Sequence, residues 1–98
     1  MVTAGSREEG EKIASHLLGE KLAACVNLIP GVQSHYWWEG ELARAEETLM
    51  LIKTTAGHLE ALENALNESH GYEIPEFLAL PVDCASGTYA AWLRGCLG

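Results

Sequence analysis

Apolar positions in the first third of the chain fall into two registers. Ile13, Ala14, Leu17 and Leu18 recur at helical spacing and form one stripe. Ser6, with Glu9 three residues on, fits a capping box, in which hydroxyl and carboxylate satisfy each other's exposed amides, so a helix opens there. From Ala23 to Ile29 the pattern turns extended. Pro30-Gly31 interrupts it as a bulge or bend would, and Val32 to Trp38 resumes it with aromatic residues. Glu39-Gly40-Glu41 supplies a turn, and Leu42 to Thr54 returns as a second strand, making a long hairpin. A helix follows over about Gly57 to Ser69, with Leu59, Leu62, Ala65 and Leu66 on one side. His70 to Pro75 reads as a loop and Phe77 to Val82 as another strand. Ser86 opens a last helix lined by Tyr89, Trp92, Leu93 and Cys96.

Only Met1 to Ala4 precede the first helix. A short strand there gives the order strand, helix, strand, strand, helix, strand, helix. That is an α+β chain, a ferredoxin-like βαββαβ sandwich with an extra C-terminal helix, in one domain over 1–98. The first strand is central in that plan yet very short here, so either the natural chain begins upstream or the sheet centre is frayed. Three strands are apolar on both faces. Leu49 and Leu51 oppose Met50 and Ile52, Phe77 and Ala79 oppose Leu78, Leu80 and Val82, and Val26 and Leu28 oppose Cys25 and Ile29. Helices in this plan cover one face only, and 98 residues leave no spare element for the other. The pattern therefore predicts a homo-oligomer without fixing its order.

Composition narrows the function. At 48% hydrophobic and 20% charged residues, the chain is globular and not disordered. Fourteen Asp and Glu against 6 Lys and Arg give a formal charge of −8, which repels a phosphate backbone, so nucleic acid is not an expected partner. No apolar run approaches the roughly 20 residues of a membrane span, so membrane insertion is not expected either. The N-terminus lacks a basic segment followed by an apolar stretch, and Cys25, Cys84 and Cys96 are too scattered for a disulfide framework. Both features point to the cytoplasm.

Candidate chemistry is sparse. The four histidines show no HxxxH spacing, and His70 with Glu73 and Glu76 is the best local cluster, a loop set able to converge weakly on one divalent metal, copper or zinc. The plain alternative for His70 is a loop histidine bonded to backbone. Cys25, among apolar strand residues, reads as a small buried hydrophobe. Tyr36, Trp37 and Trp38 make either an aromatic binding platform or, as expected here, a subunit contact on the hairpin. Glu39, Glu41, Glu46 and Glu47 read as a solvated hairpin end that deters edge pairing. Lys53 interrupts an apolar run and calls for a carboxylate, with Glu76 the candidate. Its two readings are an ion pair fixing the assembly and a cleft cation for an anionic ligand, with Tyr72 as a second cleft residue. No GxSxG, Walker or GxGxxG pattern occurs, and nothing in the sequence puts Cys25 against His70 as a thiol dyad. Acylphosphatase shares the ferredoxin-like plan, but Arg7 follows a short loop and precedes Glu8 and Glu9, a poor phosphate cradle. The expected protein is not an enzyme.

Lys21-Leu22-Ala23-Ala24-Cys25-Val26-Asn27 followed by Ile29-Pro30-Gly31 resembles the CutA family of divalent-cation tolerance proteins. The resemblance continues through Tyr36-Trp37-Trp38-Glu39-Gly40-Glu41, Ile52-Lys53-Thr54-Thr55, Ile74-Pro75-Glu76, Ala79-Leu80-Pro81-Val82 and Tyr89…Trp92-Leu93, nearly the whole chain in order. It implies a ferredoxin-like protomer in a tight homotrimer, built like the PII-type signal proteins, with hairpins wrapping neighbours. It also implies roles in metal tolerance and copper binding and, for animal relatives, in anchoring a membrane enzyme. Two positions depart from the family pattern. His70-Gly71-Tyr72 stands where relatives commonly have His-Pro-Tyr. Bacterial relatives credited with copper binding carry a cysteine before Thr-Ala and a His-His pair before Pro-Tyr, where this chain has Val2 and Ser69-His70. The resulting expectation is a cytoplasmic, non-catalytic homotrimer that binds or senses a divalent cation or small anion at subunit clefts. The competing class is a scaffold in which the trimer itself is the function.

Overall fold

Ser6 does open the first helix. In the computed structural model, which describes all 98 residues, α1 runs over Arg7–Gly19, and Ser6 Oγ accepts from the Glu9 amide at 3.1 Å. Glu9 answers one residue earlier than a strict capping box would, accepting from the Gly5 amide at 3.1 Å. Glu8 and Glu9 in the first turn also suit the positive end of the helix dipole. The buried stripe is Gly10, Ile13, Ala14 and Leu17, whereas Leu18, expected in it, lies outside and exposed. Gly10 allows close approach to the sheet, since a Cβ there would stand 3.0 Å from Leu28 Cδ2.

Three antiparallel strands, β1 (Val2–Ala4), β2 (Cys25–Trp38) and β3 (Glu41–Lys53), form a sheet in the order β1-β3-β2. The hairpin register runs from Cys25 opposite Lys53 to Trp38 opposite Glu41, with a bulge between Ile29 and Val32 where Gly31 takes φ +78°. At the turn both Glu39 (φ 51°) and Gly40 (φ 82°) are left-handed, the backbone that a two-residue hairpin of native twist requires. A 3₁₀ turn at Ala56–His58 leads into α2 (Leu59–Ser69), and α3 (Gly87–Cys96) is capped by Ser86 Oγ, which accepts from the Tyr89 amide at 3.2 Å. Val2, Ala4 and Met50 from the sheet meet Ile13, Ala14, Leu17, Leu62 and Leu66 from α1 and α2 to form the core.

The strand expected over Phe77–Val82 does not form. Its backbone makes one reciprocal pair, the Leu78 amide donating to the Met1 carbonyl at 3.1 Å and the Met1 ammonium to the Leu78 carbonyl at 2.6 Å. The reason is the shortness of β1, whose three residues offer almost no edge to a fourth strand. Leu78, Leu80 and Val82 are consequently exposed. Burial is thin overall. Only 12 of 98 residues are buried, and Trp37 and Leu42, cross-strand partners near the hairpin turn, are 71% and 72% exposed.

Candidate functional site

The loop after α2 is organised by His70. The His70 amide closes the helix on the Leu66 carbonyl at 2.8 Å, and the backbone then turns extended. His70 Nε2 lies 2.7 Å from the Thr3 carbonyl, an acceptor only, so Nε2 carries the proton and donates. Nδ1 accepts from the Tyr72 amide at 3.0 Å. The two bonds select one neutral tautomer and use both ring nitrogens, leaving no lone pair for a metal. The imidazole pins the loop to β1. Its ring also packs against Tyr72, with centroids 4.8 Å apart. Gly71 between them makes room for Glu9, because a Cβ there would stand 2.5 Å from Glu9 Oε2.

Tyr72 turns under the hairpin and donates its hydroxyl to Glu47 Oε2 at 2.7 Å. Burial first, then the bond to Glu47, pushes the phenol's pKa far above its ordinary 10.0, so Tyr72 stays a donor. Glu47 itself is only 8% exposed. It was not distinguishable in the acidic run near the hairpin turn. The signal that identifies it is its two-residue phase with Leu49 and Leu51, on the sheet face opposite Met50.

Between hairpin and loop lies a cavity of about 560 Å³, whose walls include Tyr36, Trp38, Glu47, Tyr72, Glu73 and Glu76. Glu76 is half-buried, and its Oε2 has no accessible surface and no hydrogen-bond partner. Strand alternation splits the expected aromatic trio: Tyr36 and Trp38 face this cavity, and Trp37 points to the other side of the hairpin. The cluster expected from His70, Glu73 and Glu76 is also divided, since the two carboxylates line the cavity and His70 does not. No group of three or more His, Cys, Asp or Glu side chains stands close enough to hold a metal ion. The donor set of one chain therefore does not fit a copper or zinc centre.

Lys53 and Tyr72, the two expected cleft residues, line different cavities. Lys53 sits half-buried at a larger apolar one of about 700 Å³, beside Leu51, Leu59, Phe77 and Leu80. The Lys53–Glu76 ion pair is absent, and the sole ion pair is Arg7–Glu11 at 3.1 Å on the surface of α1. Cys25 is half-buried, its Sγ 4.0 Å from Asn27 Oδ1, and no bond joins it to His70. No helix is long and apolar enough to cross a membrane.

The fold is thus a small α+β one, a three-stranded antiparallel sheet carrying a long hairpin and three helices, with an acidic, aromatic cavity under the hairpin. Residues 1–96 match the family model described as CutA1 divalent ion tolerance protein, and the chain belongs to that family. It is 45% identical over 93 residues to the chloroplastic protein CutA of Arabidopsis thaliana, covering 95% of this chain and 51% of that one. It is 42% identical over 97 residues to the divalent-cation tolerance protein CutA of Escherichia coli, covering 99% and 87%. The solved divalent cation tolerance protein of Thermus thermophilus superposes with a TM-score of 0.96 at 40% identity, over 99% of this chain and 94% of that one. The chain spans about half the length of the plant relatives it matches. The Arabidopsis relative is named as chloroplastic, so the expected cytoplasmic location does not follow from relatives.

Proposed function

We propose that the chain works as a non-catalytic, cytoplasmic homotrimer of ferredoxin-like protomers that serves divalent-cation tolerance by binding at its subunit boundaries. The observation that carries this reading is the apolar surface one copy leaves in water. Trp37, Leu42, Ile74, Leu80 and Val82 are each more than two-thirds exposed, and the backbone from Ala79 to Val82 has no backbone partner within the chain. Isolated exposed apolar residues are ordinary, but so many in a chain with so thin a core mark an interface. Tyr36, Trp37 and Trp38 supply the aromatic contacts that dominate subunit energetics. The unpaired Phe77–Val82 segment, held beside β1 by Leu78, takes the fourth-strand place of the ferredoxin-like plan and offers its free groups to a neighbour. Any copper or zinc would be bound weakly, by Glu73 and Glu76 with ligands from a second copy, since His70 is engaged elsewhere. Assembly couples dissociation to unfolding, so the melting temperature should climb with protein concentration. Superimposable reversible melts across a hundredfold concentration range would refute the assembly.

A further inference from the structure

We propose that α3 is a strap, latched at Gly98 by His58, that opens as a unit from the larger apolar cavity while the core stays folded. Little else holds this helix. None of its residues is buried, and none belongs to the core. The segment leading into it is looser still. Every residue from Leu78 to Tyr89 is exposed, and the backbone from Ala79 to Ala85 makes no hydrogen bond within the chain. Apolar burial and backbone bonding are what resist local opening, so a segment with so little of either opens well below the cost of global unfolding.

The fastening lies at the far end of the helix. Just past it, the Gly98 amide donates to the Lys21 carbonyl at 3.1 Å, and the Gly98 carbonyl accepts from His58 Nε2 at 2.7 Å. A carbonyl only accepts, so Nε2 carries the proton, and Nδ1 of the neutral ring accepts from the Thr55 hydroxyl at 2.7 Å. Thr55 thus holds both the tautomer and the orientation of the ring. A Cβ at Gly98 would stand 3.3 Å from Lys21 Cβ, so glycine suits this close approach. Thr54 Oγ1 donates to the Leu22 carbonyl at 2.7 Å and joins the two loops that the latch uses. Leu93 of α3 lines the cavity of about 700 Å³ beside Leu59 and Leu62 of α2. Release of Gly98 therefore uncovers the α2 wall of that cavity. This wall lies apart from the residues offered above to a neighbouring copy, and every group of the latch belongs to one chain, so the strap does not rest on the assembly.

The test is native-state hydrogen exchange of the full chain, read by mass spectrometry across low urea concentrations. In the wild type, α3 amides should exchange through an opening with weak urea dependence, and α1 and β3 amides through one with the full dependence. His58 gives α2 no side-chain cap, so His58→Ala removes the latch and spares that helix. It should speed α3 exchange roughly tenfold or more while core rates hold, and Thr55→Val should do the same more weakly. The dye anilinonaphthalene sulfonate, a probe of exposed apolar cavities, should fluoresce more strongly with His58→Ala than with the wild type. Equal urea dependence of α3 and core in the wild type overturns the proposal, whether or not the variants fold. So does α3 exchange in folded His58→Ala that stays at the wild-type rate or accelerates only in step with the core. Unmoved dye fluorescence alongside faster α3 exchange would overturn the role of α3 as the cavity's cover.

Discussion

Replacing Tyr72 by Phe removes one oxygen and leaves the ring packed against His70 and Gly5. That oxygen donates at 2.7 Å to Glu47, a carboxylate only 8% exposed. Its loss strands a buried acceptor with no nearby substitute donor, which costs about 1–3 kcal/mol. Urea unfolding at fixed protein concentration reads this as a lower midpoint at unchanged slope. In a Glu47→Gln background the same substitution should cost less, because a neutral amide left without its donor is penalised less than a carboxylate. The pH dependence has a definite sign. The folded phenol titrates above its ordinary 10.0, so the stability it lends is full below that pH and is lost as pH climbs through it toward the folded value. Tyr72→Phe should lack this alkaline loss. If Tyr72→Phe unfolds with the wild-type midpoint and keeps the full alkaline slope, the bond to Glu47 does not organise the loop.

His70→Ala should lower stability by about 1–2 kcal/mol, since the Thr3 carbonyl and Tyr72 amide both lose partners, while leaving a copper titration isotherm unchanged; a weakened isotherm would make the histidine a ligand. Leu66→Ala, at a site with 0% exposure between α2 and the core, should cost about 2–5 kcal/mol in urea unfolding. Trp38→Arg should shift the sedimentation profile toward single chains, because it removes a large ring from the aromatic contact proposed for the hairpin; an unmoved profile places Trp38 outside the interface.

Features governed by short-range chemistry were legible from residue order. Ser6 caps α1, Pro30-Gly31 marks the bulge, Glu39-Gly40 makes the turn and Ser86 caps α3, each decided by residues within a few positions. The departures that matter for the site are long-range. Phe77–Val82 has strand-like alternation, but a strand exists only where an edge receives it, and the one pair offered is at Met1, just before the three-residue β1. Glu47 looked like one more solvated acid near the hairpin turn. Its face follows from its two-residue phase with Leu49 and Leu51, and its burial depends on Tyr72, 25 positions away, which folds beneath it. Lys53 and Glu76 have suitable charges for each other, yet charge pattern contains no distance, and the fold sends them to separate cavities. His70 reads from sequence either as a ligand or as a loop histidine bonded to backbone, and its partner, the Thr3 carbonyl 67 positions earlier, is not disclosed by residue order.

Further copies of the chain are proposed to cover the apolar surface around the hairpin and the Phe77–Val82 segment. Sedimentation equilibrium at micromolar concentration measures this without a label or a variant. The predicted result is a single species of roughly three times the 10.6 kDa chain mass, with no lighter species on dilution through the micromolar range. A mass of 10.6 kDa that holds across that range, in folded protein, would contradict it.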